Sequence, residues 1–327
     1  MRYRTLARSD VEVSEVSFGP MRFVTRDGSA GEGTRALHAA LEGGINVVHS
    51  SAEYRTYEAL GAALRSHPSR GEIRHIIKVE SPDYEESAFS AASIRKQIEN
   101  ALRALDTEQI TVVQHLQRGP GCAKGIVYGE EGDKIRIPAL PDVIGPLMEV
   151  TEQLKEEGKI AELACFPHTT GFARAALVEA DFDGMAHYFN LLETEMVPLF
   201  GTFAQRNMSF IGIRPVLQGM LTDHRVYRDA LPEGDVKRNA NWDPWYSLLD
   251  RVRGVIGEEP SDWTAYALGF ALAHPVVSTV VLGLNTVAQV ERALAAVEMP
   301  RPTPEVVAAA AAAREEFGWI PKETLFG

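Results

Sequence analysis

The sequence predicts a single (β/α)8 barrel that spans residues 1–327. Two observations support this fold class. Eight short, largely apolar runs alternate along the chain with eight longer stretches of helical pattern, and apolar strands are typical of a parallel sheet covered on both faces. No glycine-rich turn of the kind that opens a doubly wound nucleotide-binding sheet follows the first predicted strand, which favours a closed barrel.

The individual elements follow from local patterns. Residues 3–13 predict a β-hairpin that turns at Arg8-Ser9-Asp10 and closes the bottom of the barrel. The predicted strands are residues 16–19, 45–49, 75–79, 110–115, 160–165, 185–189, 209–214 and 279–282. The predicted helices are residues 32–42, 54–65, 90–105, 142–157, 170–179, 193–205, 261–273 and 286–297, the seventh of them capped by Ser261.

Two long connections stand out. Residues 118–141 follow the fourth predicted strand and residues 223–244 follow the seventh, so both leave the end of the barrel where such folds place their sites. We expect these loops to cover the mouth of the barrel and shape the substrate pocket. Their basic residues suggest a small-molecule substrate with an anionic or carboxylate group: Lys124, Lys134, Arg136, His224, Arg225, Arg228, Lys237 and Arg238.

Composition excludes several classes of protein. The chain carries 33 Lys and Arg against 45 Asp and Glu, a net charge of −12 that repels phosphate backbones, so no nucleic-acid partner is expected. Two cysteines are too few for a disulfide framework.

No apolar run reaches the length of about 18 residues that a membrane span needs, and the N-terminus lacks an apolar signal region, so we expect a cytoplasmic protein without a membrane partner. His49 and Glu53 are four residues apart, but no HExxH motif occurs and no metal site is predicted.

Six segments, in order, resemble the aldo-keto reductases. They are YRTLARSDVEVSEVSFG, GGINVVHSSAEYRTYEALGAALR, IRKQIENALRALDTEQITVVQ, EEGKIAEL, YFNLLE and HPVVSTVVLGLNTVAQVERAL, and together they cover nearly the whole chain. The resemblance implies a TIM-type barrel that binds NADP(H) and reduces carbonyls through an Asp, Tyr, Lys and His tetrad at the barrel mouth.

The tetrad is only partly kept in this sequence. His49 stands where the family has its catalytic aspartate, whereas Tyr54 and Lys78 match the tyrosine and lysine. Without a gap, Leu116 takes the place of the family's histidine, and a shift of one residue would bring His115 or Gln117 there instead. Because side chains alternate along a strand, His115 in the ungapped register points away from the barrel interior.

The contacts that the family makes with its cofactor are mostly replaced. The carboxamide, ring-stacking and adenine positions fall on Phe166, Pro167, Ala186, Ile213, Arg292 and Ala293. Neither Phe166 nor Pro167 has a side chain that can hydrogen-bond an amide. Thr286 and Gln289 are kept as weak candidates for cofactor binding. We therefore expect no cofactor, with NADP use lost or weakened.

The predicted catalytic residues are His49, Tyr54, Lys78 and His115, and the predicted substrate-binding residues are Arg214, His168 and Glu80. The charge of Lys78 biases His49 toward its neutral, basic form, and Lys78 is expected to lose its own charge more easily without the aspartate. Glu80 is expected to pair with Arg214 or with Lys78. Such a site predicts acid/base chemistry beside a carbonyl of a polar small molecule: dehydration, elimination or isomerisation. The alternatives are an NADPH-dependent carbonyl reductase with a drifted tetrad, and a non-catalytic barrel.

Overall fold

The computed structural model describes residues 1–25, 28–82, 86, 88–118, 129–318 and 320. The strands are β1 (Tyr3–Thr5), β2 (Glu12–Ser14), β3 (Val16–Gly19), β4 (Val47–Ser51), β5 (Arg74–Ser81), β6 (Ile110–Gln117), β7 (Ile160–Cys165), β8 (Gly184–Tyr188), β9 (Ser209–Ile213) and β10 (Val277–Gly283). Strands β3 to β10 pair in parallel, each with the next along the chain, and β10 closes onto β3. The predicted (β/α)8 barrel is confirmed.

Helices surround the barrel. They are α1 (Gly31–Glu42), α2 (Tyr57–Arg65), α3 (Ala91–Leu105), α4 (Gly129–Arg136), α5 (Leu140–Glu156), α6 (Thr170–Glu179), α7 (Phe200–Gln205), α8 (Asp243–Ile256), α9 (Trp263–Ala271), α10 (Val287–Ala296) and α11 (Pro304–Phe317). Among the described residues, none of the helices has the length and apolar composition of a membrane span.

The N-terminal hairpin closes the bottom of the barrel, as predicted. Strands β1 and β2 pair in antiparallel, and Leu6 and Val13 pack into the apolar cluster of the barrel interior. At the turn, the carboxylate of Glu162 accepts hydrogen bonds from the backbone N–H of Arg8 at 3.2 Å and of Ser9 at 2.9 Å. The hairpin is therefore held in place both by the burial of its apolar side chains and by a carboxylate that accepts hydrogen bonds from the N–H groups of its turn.

Alternation along the strands divides the core into two layers. On β6, Val112 and Leu116 belong to the cluster inside the barrel, whereas Val113 packs outward with the helices. The same period places Ile76 of β5 inside and Ile77 outside. The inward direction of each side chain at the carboxyl ends of the strands therefore follows from its position in the alternation.

Several predicted boundaries were wrong. Helix α9 starts at Trp263, and its N-cap is Asp262, whose carboxylate accepts from the N–H of Ala265 at 2.7 Å, rather than Ser261. The connection after β6 contains helix α4, and the connection after β9 runs into helix α8, which the sequence pattern did not indicate. Residues 119–128 of the first connection, with Lys124, lie outside the described residues.

Candidate active site

Lys78 is the centre of the candidate site. It lies on the inward face of β5 near the carboxyl end of the strand, and its side chain is 12% exposed. Its Nζ donates hydrogen bonds to the hydroxyl of Tyr54 at 2.9 Å and to Oε1 of Glu53 at 3.3 Å. The ammonium also lies 5.3 Å from the ring centroid of Phe166, which forms an apolar wall beside it. The structure therefore brings together two of the four predicted catalytic residues in direct contact.

The turn after β4 delivers both partners of Lys78. Residues Ala52–Tyr54 form one 3-10 turn, whose last hydrogen bond runs from the N–H of Arg55 to the carbonyl of Ala52 at 3.0 Å. Arg55 adopts a left-handed conformation with φ of 54°, which ends the turn before α2 begins. Because Glu53 and Tyr54 are consecutive in this turn, one backbone conformation directs both side chains toward β5.

Glu53 and Tyr54 keep Lys78 charged. Burial lowers the pKa of Lys78, but the charges and hydrogen bonds of Tyr54 and Glu53 outweigh burial, and the net shift is upward. The expectation that Lys78 loses its charge more easily for want of an aspartate is wrong, because it took no account of a carboxylate from the following turn.

His49 lies deeper in the barrel. Its ring is 2% exposed, and its Nε2 lies 2.9 Å from Oε1 of Gln114, the residue of β6 that pairs in register with Lys78. Burial, and then the charge of Lys78, lower the pKa of His49 to about 4. His49 is thus neutral at physiological pH, in the direction expected for a group beside Lys78. The proton transfer that the sequence predicted for His49 is not tested by these contacts.

His115 lies apart from this cluster. It points to the outer face of β6, as the alternation of the ungapped strand indicated, and its Nε2 is 2.8 Å from the hydroxyl of Ser81, which is also on the outer face. Burial lowers the pKa of His115 to about 3. The prediction that His115 is catalytic is wrong, because its side chain lies on the outer face of the sheet. Neighbouring residues of a strand face opposite ways, and Leu116 points inward.

Two of the predicted substrate-binding residues form ion pairs with partners other than those expected. Glu80 pairs with Arg118 at 2.9 Å, and not with Arg214 or Lys78. Arg214 donates to Glu193 at 2.5 Å, and its guanidinium lies 3.4 Å from the ring centroid of Tyr188. These pairs hold the rim of the barrel mouth together and reduce the charge that each arginine offers to a ligand.

The third predicted substrate-binding residue, His168, belongs to an aromatic group at the ends of β7 and β8. Its ring centroid is 4.4 Å from that of Phe166 and 5.7 Å from that of Tyr188. Burial, reinforced by nearby cations, lowers the pKa of His168 well below its ordinary value. Together with Ala186 and Ile213, these rings make the floor of the mouth largely apolar.

Thr286 and Gln289, the predicted cofactor-binding residues, lie at the start of α10. The hydroxyl of Thr286 accepts from the N–H of Gln289 at 3.2 Å, and the side-chain oxygen of Gln289 accepts from the N–H of Asn285 at 2.7 Å. The two side chains thus cap the helix by an exchange of hydrogen bonds. The amide nitrogen of Gln289 is a donor that this exchange does not use.

The basic residues of the long loops are largely paired. Arg136 contacts Asp133 at 2.8 Å, Arg225 contacts Asp235 at 2.8 Å, and Arg228 contacts Asp243. Lys237 is an exception within the described residues, since no carboxylate lies within 4.0 Å of its Nζ, which sits 3.7 Å from the ring centroid of Trp242. That the substrate carries an anionic group stays a prediction. The ion pairs of the loop arginines weaken its support, because a paired arginine offers less charge to a ligand than the count of basic residues suggests.

Sequence reasoning missed two residues of the site. The sequence indicated Glu53 only as a partner of His49 for a metal, although an acid beside Tyr54 is a natural counter-charge for Lys78. Gln114 is absent from the predicted site residues. Its place between Val112 and Leu116 on an alternating strand was the available signal, because it puts the side chain inside the barrel.

Comparison with known proteins places this site in context. The model of the Aldo/keto reductase family matches residues 15–315. The uncharacterized oxidoreductase YqkF of Bacillus subtilis (strain 168) is 24% identical over 319 residues, which cover 94% of this chain and 95% of that protein. L-galactose dehydrogenase of Arabidopsis thaliana is 22% identical over 311 residues, with 90% of this chain and 87% of that protein covered.

Solved structures resemble the whole chain as well. The holo form of the aldo-keto reductase AKR11C1 from Bacillus halodurans gives a TM-score of 0.73 at 24% identity and covers 96% of both chains. The glycerol dehydrogenase AKR11B4 from Gluconobacter oxydans gives a TM-score of 0.69 at 20% identity, with 96% of this chain and 95% of that chain covered. At these identities the likeness shows the fold.

The expectation of no cofactor is overturned by these findings. The family model covers nearly the whole chain, the family uses NADP(H), and the Bacillus halodurans neighbour has been solved in a holo form. The replaced contact positions do not exclude the cofactor, because the loss of individual side-chain hydrogen bonds leaves the fold and the Tyr54–Lys78 pair of the family in place.

Proposed function

The chain belongs to the aldo/keto reductase family, and from that premise we propose that it interconverts a carbonyl compound and an alcohol with a nicotinamide cofactor. The observation that carries the proposal is the 2.9 Å hydrogen bond between Lys78 Nζ and the hydroxyl of Tyr54, at the carboxyl end of the barrel strands. In this fold, catalytic groups gather at that end. The proteins named above are an oxidoreductase, an aldo-keto reductase and two dehydrogenases, and none is named as a lyase or an isomerase.

The residues at the mouth fit such a cofactor in part. Phe166, Ala186 and Ile213 are buried and apolar, so they suit the face of a flat ring by contact but supply no side-chain hydrogen bonds for its carboxamide. Thr286 and Gln289 at the start of α10 would hold a phosphate or ribose group through the helix N-terminus and the side-chain amide nitrogen of Gln289. When bound, a nicotinamide cofactor supplies the hydride for carbonyl reduction or accepts it from an alcohol.

The proton is the part of the reaction that this chain supplies. In reduction, the Tyr54 hydroxyl gives its proton to the carbonyl oxygen, and in oxidation the phenolate takes one from the alcohol. The ammonium of Lys78, held by its hydrogen bond at 2.9 Å, stabilises the phenolate in either direction. The neutral ring of His49, bonded to Gln114, fills the interior beneath Lys78 and adds no charge. We assign the proton transfer to Tyr54, because that hydroxyl is at the mouth whereas His49 is 2% exposed.

The test is a panel of small aldehydes and ketones with NADPH and with NADH, followed by the loss of reduced-cofactor absorbance, and a panel of alcohols with the oxidised cofactors. Panels that include both neutral and carboxylate-bearing compounds also test the predicted anionic group. Calorimetric titration with NADPH and NADP+ measures binding separately from turnover. Saturable oxidation of the cofactor that depends on both the carbonyl and Tyr54 supports the proposal. Failure to bind either nucleotide, with no turnover of any compound, overturns it.

A further inference from the structure

We propose that Glu53 is a positioning residue that supplies the negative charge balancing the Tyr54–Lys78 pair, in a site whose second barrel strand carries His49 at the inward position. This inference rests on the proposed function, because it concerns the residue pair to which we assign the proton transfer. Its geometry is a contact of 3.3 Å between Glu53 Oε1 and Lys78 Nζ, made from the turn that also presents Tyr54.

Two other acidic residues near the barrel mouth, Glu80 and Glu193, form ion pairs with arginines and not with Lys78. Glu80 lies two residues beyond Lys78 on the same face of β5, but it pairs with Arg118 at 2.9 Å. Glu193 pairs with Arg214 across the rim. Within the described residues, Glu53 is the carboxylate that comes within 4.0 Å of the Lys78 ammonium.

The Glu53–Lys78 pair lies at the rim of the mouth, where both side chains are partly exposed. The side chain of Glu53 is 24% exposed and that of Lys78 is 12% exposed. The partly exposed carboxylate of Glu53 contacts the ammonium from the mouth, whereas the buried ring of His49 below it is neutral. The counter-charge of Lys78 therefore comes from the solvent side of the ammonium, and the interior side is left to the His49–Gln114 hydrogen bond.

The charge of Glu53 controls when the pair loses its first proton. Glu53, Tyr54 and Lys78 together carry no net charge when the carboxylate is ionised, the phenol neutral and the amine protonated. Without the carboxylate the remaining pair is positive, and a proton leaves a positive group more easily. The direction holds whichever of the two groups releases the proton, because they titrate as a coupled pair. For a contact partly screened by water, we expect a shift of about one pH unit toward acid.

The experiment compares Glu53→Gln, which removes the charge and keeps the shape, with Glu53→Asp, which keeps the charge. Glu58→Gln is the matched control, since Glu58 is an exposed glutamate on the neighbouring helix α2 with no contact to Lys78. Each protein and its Tyr54→Phe counterpart are titrated without cofactor, and the difference in phenolate absorbance isolates Tyr54. We expect phenolate to form about one pH unit lower in Glu53→Gln, close to wild type in Glu53→Asp, and at the wild-type pH in Glu58→Gln.

A second readout uses turnover. In the reductive direction, activity falls at high pH as Tyr54 loses its proton, and the midpoint of that fall is expected to move acidward in Glu53→Gln alone. An unchanged titration of Tyr54 in Glu53→Gln, or an equal shift in Glu58→Gln, overturns the role of Glu53. If no carbonyl is reduced by the wild type, the proposed function fails, but the cofactor-free titration still decides whether Glu53 sets the charge balance of the pair.

Discussion

The ammonium of Lys78 donates a 2.9 Å hydrogen bond to the phenol oxygen of Tyr54. The two residues come from adjacent units of the barrel, Lys78 from strand β5 and Tyr54 from the turn after β4. An ammonium in this position favours the phenolate over the phenol, so it eases the release of the proton that carbonyl reduction requires. The chemistry expected of the site follows from this contact.

Removal of the Tyr54 hydroxyl should abolish most of the activity. In Tyr54→Phe the ring stays and the proton donor is lost, so we expect kcat to fall by about two to four orders of magnitude while the thermal midpoint of unfolding changes little. Steady-state assays and circular dichroism measure the two quantities. Tyr266→Phe, a half-buried tyrosine on the remote helix α9, is the control. Wild-type turnover in Tyr54→Phe would show that another group donates the proton.

Removal of the Lys78 charge should shift the pH dependence of alcohol oxidation. In Lys78→Met the phenolate of Tyr54 loses its stabilising cation, so oxidation near neutral pH is expected to fall and to recover partly as the pH approaches about 10, where a free tyrosine ionises. The pH–rate profile of kcat measures this. Lys96→Met, an exposed lysine on α3, should keep the wild-type profile. A profile in Lys78→Met that is lower at every pH but unshifted would contradict the electrostatic role.

His49 should contribute no titration near pH 6.5. Because burial and Lys78 lower the pKa of His49 to about 4, the ring stays neutral across the working range. His49→Gln keeps a donor for Gln114, so we expect less than a tenfold loss of kcat and a pH profile parallel to that of the wild type between about pH 5 and 8. A loss of two to four orders of magnitude, or a wild-type limb near 6.5 that vanishes in His49→Gln, would instead assign the proton transfer to His49.

Buried histidines should make the fold sensitive to acid. Burial lowers the pKa of His75 to about 4, and among the described residues its Nδ1 has no hydrogen-bond partner. Between about pH 6.5 and 4 the unfolded chain binds a proton that the folded chain does not, so the free energy of unfolding falls as the pH falls through this window and is fully retained above it. Denaturant titrations of His75→Leu should show a shallower fall. His224→Gln, an exposed histidine, should behave as wild type. Equal slopes for all three proteins would rule His75 out as a source.

Loss of the carboxylate beneath the hairpin should destabilise the barrel. Oε1 of Glu162 accepts from two backbone N–H groups and from the hydroxyl of Ser9 at 2.8 Å. Glu162→Leu leaves these partly buried donors without their carboxylate acceptor, and we expect a loss of about 1–3 kcal/mol in the free energy of unfolding. Urea denaturation measures the loss, with the exposed Glu156→Leu as the control. A change within error of that control would show that the hairpin is held by its apolar contacts.

Much of the fold could be predicted from periodicity. Apolar runs with β-branched residues indicated the eight barrel strands. Alternation in the ungapped register directed His115 outward, where it contacts Ser81, but the open choice of register left His115 among the predicted catalytic residues. The helix start at α9 was predicted wrongly because two adjacent residues could each cap the helix. Asp262 and Ser261 are both good N-caps, and only the backbone conformation at position 262 selects the aspartate.

The site was less predictable than the fold. The pairing of Tyr54 with Lys78 came from the resemblance to a family, since the two residues are 24 positions apart and no local pattern links them. The ion pairs of Glu80 with Arg118 and of Lys78 with Glu53 could not be predicted from the sequence. An ion pair forms between whichever charges the packing brings within about 4 Å, and that distance depends on how separate strands and turns meet.

The order of polar and apolar residues along this chain is enough to specify a closed barrel with a plugged bottom, because strand and helix periods are local and repeat in every unit. The charge balance at the barrel mouth was decided by the tertiary structure. It depends on the 3-10 turn at Ala52–Tyr54, which directs the side chain of Glu53 toward β5. It also depends on the parallel register, which pairs Gln114 of β6 with Lys78 of β5. These contacts join segments that are distant in sequence, so they exist only once the strands have closed around a common axis.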